Sequence, residues 1–288
     1  MKLLVTHATP DIDAIASVWL LKRFEGEHFA DAKVVFVRAG GSLSKEEQDR
    51  LGFGGFEAIH VDTGSGEFDH HQAERGMTRT CATELVYKHL AAKHPEVKNN
   101  WALQQIVEYV LIDDHFEDYF WPDAASERYL FTLRSILHGH EYLQLHDDDE
   151  QLNFGMKCLD GIFASLKERR NAMDIFADGK QFDTIWGRAI AFETPNQSVL
   201  RYAQLRGFNL VIQRDPKIGN VRIKAAPRPE IDLTQLHKKV LEADTKGTWF
   251  FHEGRHMLLN TWRKGGKDVP TPLTLDQVIA IAKSCTKT

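Results

Sequence analysis

Sulfur is scarce in this 288-residue chain: three cysteines, Cys81, Cys158 and Cys285, stand far apart and no C-x-x-C pair occurs. That spacing argues against a disulfide framework and against a thiolate metal site, and it fits a reducing, cytoplasmic compartment. Long apolar runs are missing too. Nothing approaches the roughly 20 consecutive apolar residues that cross a bilayer. Met1-Lys2-Leu3-Leu4-Val5-Thr6-His7 is interrupted too soon to be a signal-peptide core, so no membrane partner is expected. There is no internal repeat and no low-complexity tract. Gly40-Gly41 and Gly52-Phe53-Gly54-Gly55 lack the strand and helix that flank a nucleotide-binding glycine loop, and read as turns. What is present, 42% hydrophobic and 27% charged residues, is globular composition with ample material for a core.

The length suits two domains, and charge divides accordingly. Residues 191–288 carry 16 basic and 9 acidic side chains, whereas residues 1–190 carry 20 and 32. An acidic half beside a basic half is what two solvated surfaces give, and also what a carboxylate-rich metal site facing a polyanion clamp gives.

Apolar runs and their punctuation predict strands over Leu3–Thr6, Lys33–Ala39 and Ala58–Asp62, with a helix over Ala14–Phe24. Such alternation implies a parallel sheet covered by helices. Helical spacing then dominates Thr80–His94, Trp101–Ile112 and a long stretch from Gln151 to Phe182. The second half changes character, with strands over Gly207–Arg214, Val221–Ala226, Thr248–Phe251 and Met257–Trp262 and helices over Leu233–Ala243 and Leu273–Ser284. The expectation is an α/β domain over residues 1–193 and a smaller α+β domain over 194–288, divided at Thr194-Pro195-Asn196-Gln197-Ser198.

The chemistry concentrates in the first domain. His7, Asp11 and Asp13 fall within seven residues where a buried strand turns into a helix, the end of an α/β sheet that faces its ligand. Taken singly, Asp13 reads as a helix cap and His7 as a satisfied core histidine. Recurrence argues otherwise: Ile59-His60-Val61-Asp62, Phe68-Asp69-His70-His71 and Ile112-Asp113-Asp114-His115 each deliver Asp or His at or just beyond an apolar element, the pattern of a two-metal centre assembled from several loops. A mixed His and carboxylate set without sulfur suits hard or borderline divalent ions. Imidazole disfavours Mg²⁺, so two Mn²⁺ ions are expected, with Mg²⁺ or Co²⁺ as alternatives. His138-Gly139-His140 has a ligating spacing but lies outside the series, and Asp147-Asp148-Asp149-Glu150 reads as a solvated loop.

In order, His7-x-x-x-Asp11-x-Asp13-Ala14, Val61-Asp62, Asp69-His70-His71 and Thr80-Cys81-Ala82-Thr83-Glu84-Leu85-Val86-Tyr87 resemble the motif series of the DHH phosphoesterase superfamily. That superfamily includes RecJ-type exonucleases, oligoribonucleases, cyclic dinucleotide phosphodiesterases and manganese pyrophosphatases. Phe68-Asp69-His70-His71-Gln72 and the Ile112-Asp113 helix end also resemble exonucleases of the melanocyte-proliferating-gene group, whose start differs from His7–Ala14. The resemblance implies that His7, Asp11 and Asp62 hold one metal and Asp13, Asp62, His70 and Asp113 the other, with Asp62 bridging. Asp113 is preferred to Asp114 because it follows the apolar run directly. His71 then falls to the scissile phosphate and Asp69 to orienting the histidine pair.

The resemblance further implies an active site in the cleft between the two domains, the smaller one binding substrate beyond the scissile phosphate. Arg222 and Lys224 share a sheet face, and Arg228, Arg255 and His256 complete the basic candidates. The superfamily's Gly-Gly-Gly-His turn is absent, Gly254-Arg255-His256 being at best its remnant. The expected activity is a metal-dependent phosphodiesterase or exonuclease acting on RNA, short oligonucleotides or related nucleotides, as a monomer or homodimer. A pyrophosphatase-like anhydride or phosphomonoester hydrolase and a catalytically silent nucleotide-binding protein are the rival readings.

Overall fold

Leu3, Leu4 and Val5 are fully buried, which is how a strand reads when both faces of its sheet are covered. In the computed structural model, which describes residues 1–261 and 267–286, they form β1 (Lys2–His7). This strand lies between β2 (Lys33–Val37) and β3 (Glu57–His60) in a parallel sheet ordered β2-β1-β3. The helix Ile12–Phe24 returns from β1, buried from Ile12 to Leu21 and capped by Asp11, whose side chain accepts from the backbone N–H groups of Asp13 and Ala14. Trp19, fully buried, donates from Nε1 to Asp160 at 2.8 Å, and Arg23 pairs with the same carboxylate at 2.8 Å. One apolar cluster joins this helix to Ala82–Lys93, Trp101–Asp114 and the first part of Asp148–Phe176.

The first compact unit spans Met1–Leu166 and the second Lys167–Thr288. The second is built on a six-stranded mixed sheet, ordered β4 (Lys180–Thr184), β5 (Gly187–Glu193), β6 (Leu210–Arg214), β7 (Val221–Ala225), β9 (Met257–Asn260) and β8 (Trp249–Phe251). Only β5 and β6 run parallel. The helices Thr234–Ala243 and Leu275–Lys283 contribute to one apolar cluster, and Ser198–Leu205 with the end of Asp148–Phe176 to another.

The units part inside a helix, not at Thr194–Ser198. The expected helix to Phe182 stops at Phe176, and the chain re-enters as the β4–β5 hairpin, which belongs to the second sheet. Gly179 sits between them, where a Cβ would fall 2.5 Å from the side chains of Ile190 and Phe192. Trp262, expected in the last strand, lies outside the described residues. Among the described residues, no helix is long and apolar enough to cross a membrane.

Candidate metal centre

Three loops and one helix end bring the acidic and imidazole groups together. β1 ends in His7, whose Nε2 lies 3.3 Å from Asp62 Oδ2 and 3.8 Å from Asp11 Oδ1. Asp62 follows β3 with φ 55°, the left-handed region that is uncommon for a residue with a side chain. Its N–H donates to Phe68 O at 2.8 Å, which holds the turn and leaves the buried carboxylate directed at the histidines. His70 Nε2 is 3.5 Å from Asp62 Oδ1, 3.7 Å from Asp13 Oδ2 and 3.7 Å from Asp114 Oδ1. His71 Nδ1 is 3.7 Å from Asp62 Oδ1. The result is three overlapping groups able to ligate a metal, Asp62 with His70 and His71, His7 with Asp11 and Asp62, and Asp13 with His70 and Asp114.

Asp13 is the most enclosed member. Its carboxylate accepts from Ala82 N and Thr83 N, each at 2.8 Å, so it also satisfies the first amides of the Ala82–Lys93 helix. This contact gives the Thr80–Tyr87 segment its place at the site. Asp69, equally buried, accepts from Ser65 N at 2.7 Å and His71 N at 3.0 Å, and its Oδ1 lies 2.9 Å from His71 Nδ1. It therefore fixes His71, while His70 faces the other carboxylates.

Charge crowding shapes the protonation of these groups. Burial lowers the His7 pKa, but the neighbouring carboxylates of Asp11 and Asp62 outweigh that and push it up to about 11. His70, lowered by burial and raised by Asp62, Asp114 and Asp13, ends at about 9. Asp13 is pushed up to about 8 by burial and by the neighbouring charges of Asp62 and Asp11. Two of the cluster's atoms, Asp62 Oδ1 and His70 Nε2, are buried with no hydrogen-bond partner. Orphaned polar atoms are costly, and a divalent cation would satisfy both, so the residues present fit the expected metal.

At the position expected for Asp113, the candidate cluster holds its neighbour Asp114. Asp114 reaches the cluster, whereas Asp113 Oδ1 lies 3.7 Å from Arg134 and is pushed up to about 6 by burial. Helix phase is the reason: Asp114 continues the buried stripe of Val107, Val110 and Leu111. A second residue escaped the sequence reading. Asp148, expected to be solvated, accepts from Thr9 N at 2.8 Å and so anchors the His7–Asp11 turn, in which Thr9 has φ 55°. His140 is structural, its Nδ1 2.8 Å from Gln151 Oε1 and its ring stacked on Phe154 at 4.1 Å.

The basic candidates lie in the second unit. Arg222 and Lys224 share the face of β7 opposite buried Val221, Ile223 and Ala225. The Gln197 amide, turned with its oxygen toward Arg222, accepts from both guanidinium nitrogens at 3.1 and 3.3 Å. Arg255 is paired with Asp232 at 2.8 Å, and His256 Nε2 lies 3.0 Å from Arg228 O.

Sheet order, loop placement and donor chemistry define an α/β chain with a histidine–carboxylate cluster at the C-terminal end of a parallel sheet. The model of the ChrB C-terminal domain matches residues 4–166, more than half the sequence, and the chain belongs to that family. The family model is thus not the one its motif series resembles, although DHH-domain proteins do occur among similar solved structures. The pGpG-specific phosphodiesterase PggH from Vibrio cholerae is 14% identical, with 90% of this chain and 91% of that one covered and a TM-score of 0.32. RecJ from Thermus thermophilus, solved with Mn²⁺, is 12% identical, with 98% and 52% covered and a TM-score of 0.32. The DHH domain of a member of the s1p family of ribosomal proteins is 13% identical, with 97% and 85% covered and the same score. No curated protein matches. At these scores the functional reading rests on the chain's own side chains.

Proposed function

We propose that the chain is a divalent-metal-dependent phosphoesterase, acting as a phosphodiesterase on nucleotides or short oligonucleotides. One observation carries this reading: three candidate ligand groups are linked through Asp62 and His70, each a member of two of them, and in both residues a buried polar atom lacks a partner. His7, Asp11 and Asp62 would hold one cation, and Asp13, Asp62, His70 and Asp114 the other, with Asp62 common to both. When bound, two such cations supply Lewis acidity, acidifying water and neutralising charge on a phosphate ester.

The chain's own groups supply the rest. Asp69 engages Nδ1 of His71, which leaves Nε2 as the ring nitrogen that can hold or move a proton at the leaving oxygen. The side chain of His71 is 60% exposed, so substrate can reach it. Arg222, Lys224, Arg228, Arg255 and His256 are the proposed contacts for phosphates beyond the scissile one.

The test is hydrolysis of dinucleotides, cyclic dinucleotides, single-stranded RNA and pyrophosphate by chelator-treated protein, before and after Mn²⁺ is restored. Turnover of a phosphodiester that vanishes on chelation and returns with Mn²⁺ is expected. Full activity in excess chelator would falsify the metal dependence, and turnover of pyrophosphate alone would replace the substrate class.

A further inference from the structure

The loop beyond Asp114 does something the metal centre does not require. Asp11 and Asp114 also line a cavity of about 260 Å³ whose walls include Phe116 and Arg134 together with the buried apolar side chains of Ile12 and Leu137. Phe116 is 68% exposed and has φ 56°, a costly conformation for a bulky residue and one that persists only where the surroundings impose it. The surroundings are plain. Its N–H donates to Asp113 O at 3.1 Å, closing the Trp101–Asp114 helix. The guanidinium of Arg134 stands 5.8 Å from the ring centroid, and Asp118 at 3.3 Å and Asp113 at 3.7 Å hold that guanidinium in turn. An aromatic ring is thus held out of the core, beside a cavity that shares two carboxylates with the metal centre.

Burial gives no reason for such a placement, since the ring gains little apolar contact from it. A planar ligand does. We propose that this cavity binds the nucleobase of the nucleotide whose phosphate lies at the metal centre, stacked on Phe116. Ile12 and Leu137 offer the base an apolar wall, and the Arg134 guanidinium offers donors to the acceptors on its edge. Stacking on an aromatic face tolerates every base. The site would therefore discriminate nucleotides from sugar phosphates more than one base from another. Phe116 touches the leaving or retained nucleoside and not the reacting atoms, so it governs affinity.

The inference rests on the phosphoesterase reading, and the experiment separates the two. The full chain, loaded with Mn²⁺, is titrated calorimetrically with adenosine 5′-monophosphate and with ribose 5-phosphate, which carries a hydroxyl in place of the base. The wild type is expected to bind the nucleotide roughly 5- to 150-fold more tightly, the range that one stacked base contributes. Phe116→Ala should abolish that preference while leaving ribose 5-phosphate binding unchanged, and Phe116→Trp should retain it. Because the side chain is exposed, neither variant threatens the core, and circular dichroism checks this. Equal affinities in the wild type, binding of neither ligand, or equal weakening of both by Phe116→Ala would overturn the base pocket. A base preference that depends on Phe116, in a protein that hydrolyses no phosphate ester, supports the pocket and overturns the phosphoesterase reading instead.

Discussion

His70 and His71 are adjacent in sequence, and on the proposed function they divide the work between them. His70 Nε2 faces three carboxylates, whereas His71 is tied to Asp69 and open to solvent. His71→Ala should retain metal and lose turnover by roughly 10²- to 10⁴-fold, as the loss of a proton donor does. His70→Ala should lose metal as well. Metal content by atomic emission, measured beside the rate, distinguishes the two, and identical phenotypes would show that the pair acts as one ligand. At this scale the site was largely legible. His7, Asp11, Asp13, Asp62, His70 and His71 all appear in the cluster because each sits where an apolar element ends. Asp114 was legible as well, had the helical stripe of Val107, Val110 and Leu111 been extended instead of the apolar run. Asp148 was not, because its contact with Thr9 spans most of the first unit and leaves no local trace.

Among elements, the β1–β3 sheet and its helix followed directly from buried runs alternating with helical spacing, but β4 and β5 did not. Lys180–Thr184 has a single large apolar residue, Phe182. Ala189-Ile190-Ala191-Phe192 shows no alternation because the sheet is buried on both faces, Ala189 and Ala191 in one cluster and Ile190 and Phe192 in the other. A short apolar run of that kind does not distinguish strand from helix. Gly179 makes the passage between them possible. Gly179→Ala should destabilise by roughly 1–3 kcal/mol through overpacking against Ile190 and Phe192. Gly161, inside the Asp148–Phe176 helix, has open space where its Cβ would be. Gly161→Ala should instead stabilise by about 0.5–1 kcal/mol. Urea unfolding of both proteins is the measurement, and equal midpoints would remove the steric argument.

Across the whole molecule, the acidic and basic halves seen in the sequence correspond broadly to two compact units, the candidate metal ligands in the first and the arginine-bearing strand β7 in the second. On the proposed function, an oligonucleotide presents more phosphates than the metals can meet. Arg222→Gln combined with Lys224→Gln should raise KM for a single-stranded oligonucleotide. It should also flatten the logarithmic salt dependence by about 0.7 per lost phosphate contact. Arg255→Gln should flatten it less, because its guanidinium already faces Asp232 at 2.8 Å. An unchanged slope in the double variant would return Arg222 and Lys224 to an ordinary solvated face.

On the proposed function, the double duty of Asp13 would tie ion occupancy to backbone motion. The same carboxylate that belongs to the cluster accepts the amides of Ala82 and Thr83. In the ion-free protein its pKa near 8 leaves it largely protonated at neutral pH, and a protonated carboxyl is the weaker acceptor. A cation expels that proton, and the ionised group then holds both amides more firmly. Deuterium uptake at Ala82 and Thr83 should therefore slow when Mn²⁺ is added at pH 7, and the slowing should shrink as the pH rises past 8 and Asp13 ionises without a cation. Two amides at the start of one helix would report, without any substrate, whether the centre is filled.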